Sequence, residues 1–218
     1  MRKWPRAERQ IGRKALAEDR QDAKTHLHFA HHSRREVLAG GTGLVLGATI
    51  AAPDEAAASK PPEKLPAQPG DRIQFIKGEL KDQMLKADML TTGEKPLEAF
   101  PFDPVNNVLR RKYRLNRMLV LRLDPAEMDE ETRGLSADGL LVFSALCTHR
   151  ACTIKSWMAE ERHLRCHCHL SEFSALSGGS VMDGPARRRL AMVPLELDAE
   201  GYVVAREGFN GKVGAAKK

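Results

Sequence analysis

The sequence predicts an all-β domain, and three observations carry that expectation. Short apolar runs bounded by polar or turn residues occur at 117–123, "RMLVLRL", and at 139–146, "GLLVFSAL". The stretch "LAMVPLELDAEGYVVAREG" reads as a hairpin, two apolar runs around Asp198-Ala199-Glu200-Gly201. Beyond residue 96 no helical period is sustained. Short apolar runs between turn signals read as buried strands, and strands spaced by turns imply an all-β architecture.

Taken in chain order, residues 1–58 read as a leader. Ser33-Arg34-Arg35-Glu36-Val37-Leu38 precedes an uncharged stretch from Val37 to Ala52, sixteen residues with four glycines. That is short for a spanning helix, which needs about twenty apolar residues. A basic lead, an apolar stretch and a small-residue exit describe an export signal. The arginine pair resembles the twin-arginine signal of bacteria, which implies export to the periplasm through the twin-arginine machinery. Ala56-Ala57-Ala58 offers a cleavage site before Ser59, and an uncleaved signal acting as a membrane anchor is the competing expectation. Four histidines between His26 and His32 fit a soluble lead better than a metal tag.

Residues 59–69, "SKPPEKLPAQP", hold four prolines. Proline fixes the backbone and donates no hydrogen bond, so an extended linker is expected. The folded domain is placed at 70–212 and a basic tail at 213–218. "DRIQFI" at 71–76 has β-character, and a short helix is expected within 78–95. "DPAEMDEETRGLSADG" reads as an acidic, turn-rich excursion between the two apolar runs.

Charge excludes one class of function. The net charge of +6 suggests nucleic acid, but its distribution does not. Residues 1–36 carry ten Lys/Arg and five Asp/Glu, leaving twenty-five against twenty-four for the rest. The basicity belongs to the leader.

The chemistry is concentrated elsewhere. "CTHRACTIKSWMAEERHLRCHCH", Cys147 to His169, holds all four cysteines and four of the eight histidines. Two disulfides are one reading for an exported chain, and a zinc site is another. Disulfides do not account for a histidine close to a cysteine in both halves, and four cysteines plus two histidines exceed a tetrahedral zinc site. They match another arrangement, one iron held by two thiolates and a second by two imidazoles, which takes both histidines and two of the four cysteines.

The two halves resemble the two boxes of the Rieske [2Fe–2S] family, C-T-H-x-G-C and C-P-C-H-x-S. They stand here as Cys147-Thr148-His149-Arg150-Ala151-Cys152 and Cys166-His167-Cys168-His169-Leu170-Ser171. The resemblance implies that Cys147 and Cys166 bind the buried iron and that His149 and His169 bind the outer one. It implies a disulfide between Cys152 and Cys168, and stacked antiparallel sheets with the cluster at the tip of a small subdomain. Imidazole is neutral where thiolate is anionic, so such a cluster accepts an electron more readily, within about −150 to +300 mV.

Departures from the family pattern are informative. Ala151 replaces a glycine, His167 a proline, and Arg150 stands where an apolar cover is common. Ser171 matches the serine whose hydroxyl bonds a cluster sulfur. Phe173 stands where quinol-oxidising members carry a tyrosine, so the potential is expected below the top of the range. Gly184-Pro185-Ala186-Arg187 resembles the proline loop that covers the cluster, with Pro185 retained and Arg187, Arg188 and Arg189 following. Arg150 and these three arginines are candidates for partner docking.

The resemblance implies electron transfer, with the chain a subunit of an oxidoreductase complex. No pocket motif assigns it a substrate of its own. Ser171-Glu172-Phe173 and the leader are similar to the small subunit of arsenite oxidase, which works with a substrate-oxidising large subunit and passes electrons on, for instance to a c-type cytochrome. The Rieske subunit of a cytochrome bc complex is the alternative, and a non-redox zinc or disulfide module the third.

Overall fold

The computed structural model describes residues 60–216. The leader, its arginine pair and its cleavage site lie outside the described residues. Eleven strands form in chain order: β1 (Arg72–Phe75), β2 (Leu97–Asp103), β3 (Val108–Leu109), β4 (Met118–Arg122), β5 (Leu140–Ser144), β6 (Ser156–Met158), β7 (His163–Arg165), β8 (Glu172–Ser174), β9 (Val181–Asp183), β10 (Leu195–Leu197) and β11 (Val203–Ala205). Every strand pair is antiparallel. Seven strands make one sheet, ordered β10-β11-β1-β2-β4-β5 with β3 on β2, and β6-β7-β8-β9 make a second. The small sheet is an excursion of the chain between β5 and β10, and both cysteine boxes lie within that excursion.

Strands β4 and β5 explain why the excursion packs where it does. In register they pair Leu119 with Phe143, Val120 with Val142 and Leu121 with Leu141. Alternate side chains of a strand point to opposite faces. Met118, Val120, Leu140 and Val142 enter one core with Ile73, Phe75 and Val203. Leu119, Leu121, Leu141 and Phe143 enter the other, with Cys147, Cys166 and Phe173. Burial on both faces is why these two runs are apolar throughout rather than alternating. Each such side chain contributes about 1.5–3 kcal/mol when fully buried.

The expected hairpin forms as β10 and β11, with Asp198 accepting from the backbone N–H of Glu200 and Tyr202 to shape its turn. The short helix expected within 78–95 does not form. Gly78, Asp82 and Gly93 have φ of 74°, 65° and 82°, a left-handed backbone that a right-handed helix cannot use. Leu85 is instead fully buried, its N–H donating to Ile73 and its carbonyl accepting from Val203. The one α-helix among the described residues, α1 (Glu130–Leu135), lies in the acidic excursion. The Asp129 side chain caps it by accepting from Thr132 N–H at 2.7 Å, a preferred arrangement at helix starts.

The proline-rich segment joins the body before Gly70. Pro62–Lys64 form a 3-10 turn. Fully buried Asn116 accepts from Ala67 N–H and donates to the carbonyls of Leu65 and Arg110. Arg110, buried itself, bonds Asp71 and Asp103 through ion pairs of 2.8 and 2.9 Å and donates to the Pro62 carbonyl. Removing one partner of such a buried network typically costs about 3–5 kcal/mol. Arg110→Met is therefore expected to lower the denaturant midpoint by that equivalent, with the slope of the transition unchanged.

Candidate metal centre

Each cysteine box is a turn closed by its own backbone. Ala151 N–H donates to the Cys147 carbonyl at 2.8 Å and Cys147 N–H to the Cys152 carbonyl at 2.9 Å. In the second box Cys166 N–H donates to the Ser171 carbonyl at 2.9 Å. In both, the fifth residue turns the chain through the left-handed region, Ala151 at φ 57° and Leu170 at φ 59°. Such a conformation costs a residue with a side chain about 1–2 kcal/mol, which accounts for glycine in the family pattern at 151.

The structure joins Cys152 and Cys168 in a disulfide, Cα atoms 6.6 Å apart, which ties the two turns together. Cys147 and Cys166 remain free thiols, both buried. Burial pushes the Cys147 thiol above its usual range, and the adjacent Cys166 thiol adds to that. The rings of His149 and His169 meet edge to face, centroids 4.7 Å apart and planes at 89°. Desolvation, then His169 and Arg150, hold the His149 imidazole below its usual pKa, so the ring is neutral, the form that binds metal. His167 is exposed.

One atom reports directly on what fits here. His149 Nδ1 is buried with no hydrogen-bond partner. Buried polar atoms seldom go unpartnered, and a metal ion held by this ring would supply the missing partner. The two buried thiols of Cys147 and Cys166 complete a donor set suited to a cationic centre, since coordination deprotonates a thiol outright. The sulfurs of Cys152, Cys166 and Cys168 also lie within 4.8 Å of one another. Two of the three are bonded to each other and not available as thiolates.

The surrounding residues are placed with equal economy. Ser171 is buried, and its Oγ accepts from Ala186 N–H at 3.1 Å, which leaves the hydroxyl proton to donate elsewhere. Phe173 is fully buried in the same core as Cys147 and Cys166. Pro185 is exposed in its loop. That loop presses on the second box through Gly184, where a Cβ would stand 2.6 Å from Ser171 Cα and 2.8 Å from the Leu170 carbonyl. With φ at 83° only glycine fits.

The four arginines separate into two pairs. Arg150 and Arg187 are exposed with no side-chain partner among the described residues. Arg189 pairs with Glu131 at 2.6 Å. Arg188 turns inward and donates to the carbonyls of Lys212 and Gly214. Sequence reasoning missed this contact, and no motif announces it. It also missed Thr148, whose hydroxyl donates to the Arg188 carbonyl at 2.6 Å and joins the first box to the proline loop.

Comparison with known proteins gives the centre its family. Residues 111–194 match the Rieske [2Fe-2S] domain. A Haloferax mediterranei protein, provisionally named a respiratory nitrate reductase Rieske subunit, is 28% identical over 192 residues, 87% of this chain and 82% of the relative. The cytochrome bc1 Rieske subunit of Streptomyces lividans is 32% identical over 100 residues, 45% of this chain and 59% of that one. For the Corynebacterium glutamicum counterpart the figures are 29% over 142 residues, 61% and 33%, so the chain spans only a third to three-fifths of these bc1 relatives. The soluble Rieske protein II domain of Sulfolobus acidocaldarius aligns with 70% of this chain and 81% of its own at TM-score 0.37 and 19% identity. From the paired cysteine boxes and the matched domain together, the chain carries a Rieske [2Fe–2S] domain and is an electron-transfer protein.

Proposed function

We propose that the chain is the small iron–sulfur subunit of an exported oxidoreductase, accepting electrons from a substrate-oxidising large subunit and passing them to a carrier such as a c-type cytochrome. Cys147 and Cys166 would hold the inner iron, and His149 and His169 the outer. A cluster held there supplies a one-electron couple. The chain's own part is to bury the thiolate side and to present the imidazole side, where His169 is exposed, to a partner. Arg150 and Arg187 flank that side as unpaired cations and suit an acidic docking face. The disulfide favours an oxidising compartment, in keeping with twin-arginine export to the bacterial periplasm, with or without retention of the signal as an anchor.

Phe173 is the observation that carries this reading over a quinol-oxidising one. It is fully buried in the core of the ligand cysteines and offers no hydroxyl to a cluster sulfur. The haloarchaeal relative adds support, since its likeness runs through most of both chains. The bc1 relatives keep a second reading in view, a Rieske subunit of a cytochrome bc complex. Purification of the native protein under mild detergent separates the two. A substrate-oxidising large subunit is the expected companion, and a cytochrome b in its place overturns the first reading.

Ligand assignment has its own test. Replacing His149 or His169 by Ala is expected to abolish the bound iron and sulfide, two of each per chain, while His167→Ala retains them. Zinc without sulfide in the parent protein excludes the cluster. Tuning gives a further expectation. A tyrosine hydroxyl donating to a sulfur favours the reduced, more negative state, and each ~1.4 kcal/mol of such preference is ~59 mV for one electron. Phe173→Tyr is expected to raise the reduction potential by several tens of millivolts on that scale, measured by voltammetry.

A further inference from the structure

The segment Lys212–Ala216 has no role in the reading above, yet it lies on the first cysteine box. Gly214 is buried at φ 69°. A Cβ there would sit 3.4 Å from the Ala151 methyl and 3.9 Å from the Leu146 Cβ. The Arg188 guanidinium grips the segment from the other side, Nη1 on the Lys212 carbonyl at 2.9 Å and Nη2 on the Gly214 carbonyl at 2.6 Å. Arg188 is fixed in turn, because its own carbonyl accepts from Thr148, the residue before His149. The next two residues, Ala215 and Ala216, share with His149, Thr148, Arg150, Pro185, Arg187 and Arg188 the lining of an open cleft of about 720 Å³.

We propose that Lys212–Ala216 is a strap that forms one wall of the cleft at His149 and limits how much water reaches that side of the cluster, and that Arg188 is the positioning residue that latches it. This rests on the cluster reading above. A forked guanidinium can hold two carbonyls in one plane, and a lysine ammonium at the same place cannot. The strap's seat on the box comes from the small pair Ala151 and Gly214, and at Gly214 the left-handed backbone strains any added side chain. Charge near the cluster is therefore not the operative variable. The latch and the seat are.

Two charge-conserving variants test it, Arg188→Lys and Gly214→Val, each made in the full chain. The first readout is tryptic cleavage of the Lys212–Val213 bond, whose carbonyl is one of the two that Arg188 holds. Such cleavage follows the population of the opened strap, and both variants are expected to speed it about tenfold, Arg188→Lys because losing one charge-assisted hydrogen bond shifts a local equilibrium by that order, and Gly214→Val because a left-handed backbone costs a residue with a side chain a comparable amount. The second readout is the reduction potential. Water admitted beside His149 stabilises the reduced, more negative cluster, because exposure is one of the determinants of potential, so the potential is expected to rise in both variants at unchanged iron and sulfide content. Cleavage at the parental rate overturns the latch. Faster cleavage with a potential that stays or falls overturns the shielding. A chain that binds no iron and sulfide in the parent form condemns the cluster reading instead, while the cleavage arm still reports on the strap. Either variant alone carries the test if the other misfolds.

Discussion

Burial of both faces of the β4–β5 pair is the constraint on which the rest of the molecule depends. The two strands contribute to two cores at once, one belonging to the large sheet and one to the cysteine-bearing excursion. A sheet that exposed one face would have left the excursion without a floor. The pairing also fixes the phase. Leu119, Leu121, Leu141 and Phe143 must all point to the side where Cys147, Cys166 and Phe173 are buried, and a slip of one residue would turn every one of them to the other core. The first box begins three residues after β5 ends, so its direction is inherited from that register.

The centre itself is built from backbone before side chains. Two similar turns, each closed by a hydrogen bond from its first cysteine, carry left-handed residues at equivalent places. The disulfide and the close approach of Gly184 to Ser171 then hold the turns as one unit. Preorganisation of this kind matters for electron transfer, where the scaffold should change little between oxidation states. Desolvation acts consistently throughout. It raises the Cys147 thiol and lowers the His149 imidazole, both of which favour the neutral side chain in the absence of a cation.

Legibility in the sequence followed the strength of local signals. β1, β4, β5 and the closing hairpin were readable because each is a compact apolar run between turn residues. The four strands of the small sheet were not, since each has only three residues, too few for an alternation to show. They are strands because they pair, and pairing is not local information. α1 was overlooked for a related reason: six residues are too few for a period to show, although Asp129 three places before Thr132 was a capping signal in plain view. The expected helix at 78–95 failed because Gly78 and Gly93 mark real reversals of the chain. The paired boxes were legible as a motif, and the Cys152–Cys168 disulfide with them, because metal chemistry constrains residue type and spacing more tightly than packing does.

Surface charge was the least legible feature, and its physics explains why. Four arginines near the cluster look alike in the sequence, but geometry assigns them different work. Arg189 neutralises Glu131 and Arg188 fastens the segment 212–214, while Arg150 and Arg187 face solvent. An exposed ion pair such as Arg189–Glu131 adds little stability, on the order of 0–1 kcal/mol, yet it cancels the long-range field of both members. A partner approaching from beyond a Debye length of about 8 Å senses net rather than counted charge. In the docking proposed above, steering would rest on Arg150 and Arg187, one on each of the two loops that border the cleft at His149. The first cysteine box and the proline loop thus each place one exposed cation at the rim of that cleft, where a long-range field survives because neither is cancelled by a neighbouring carboxylate among the described residues.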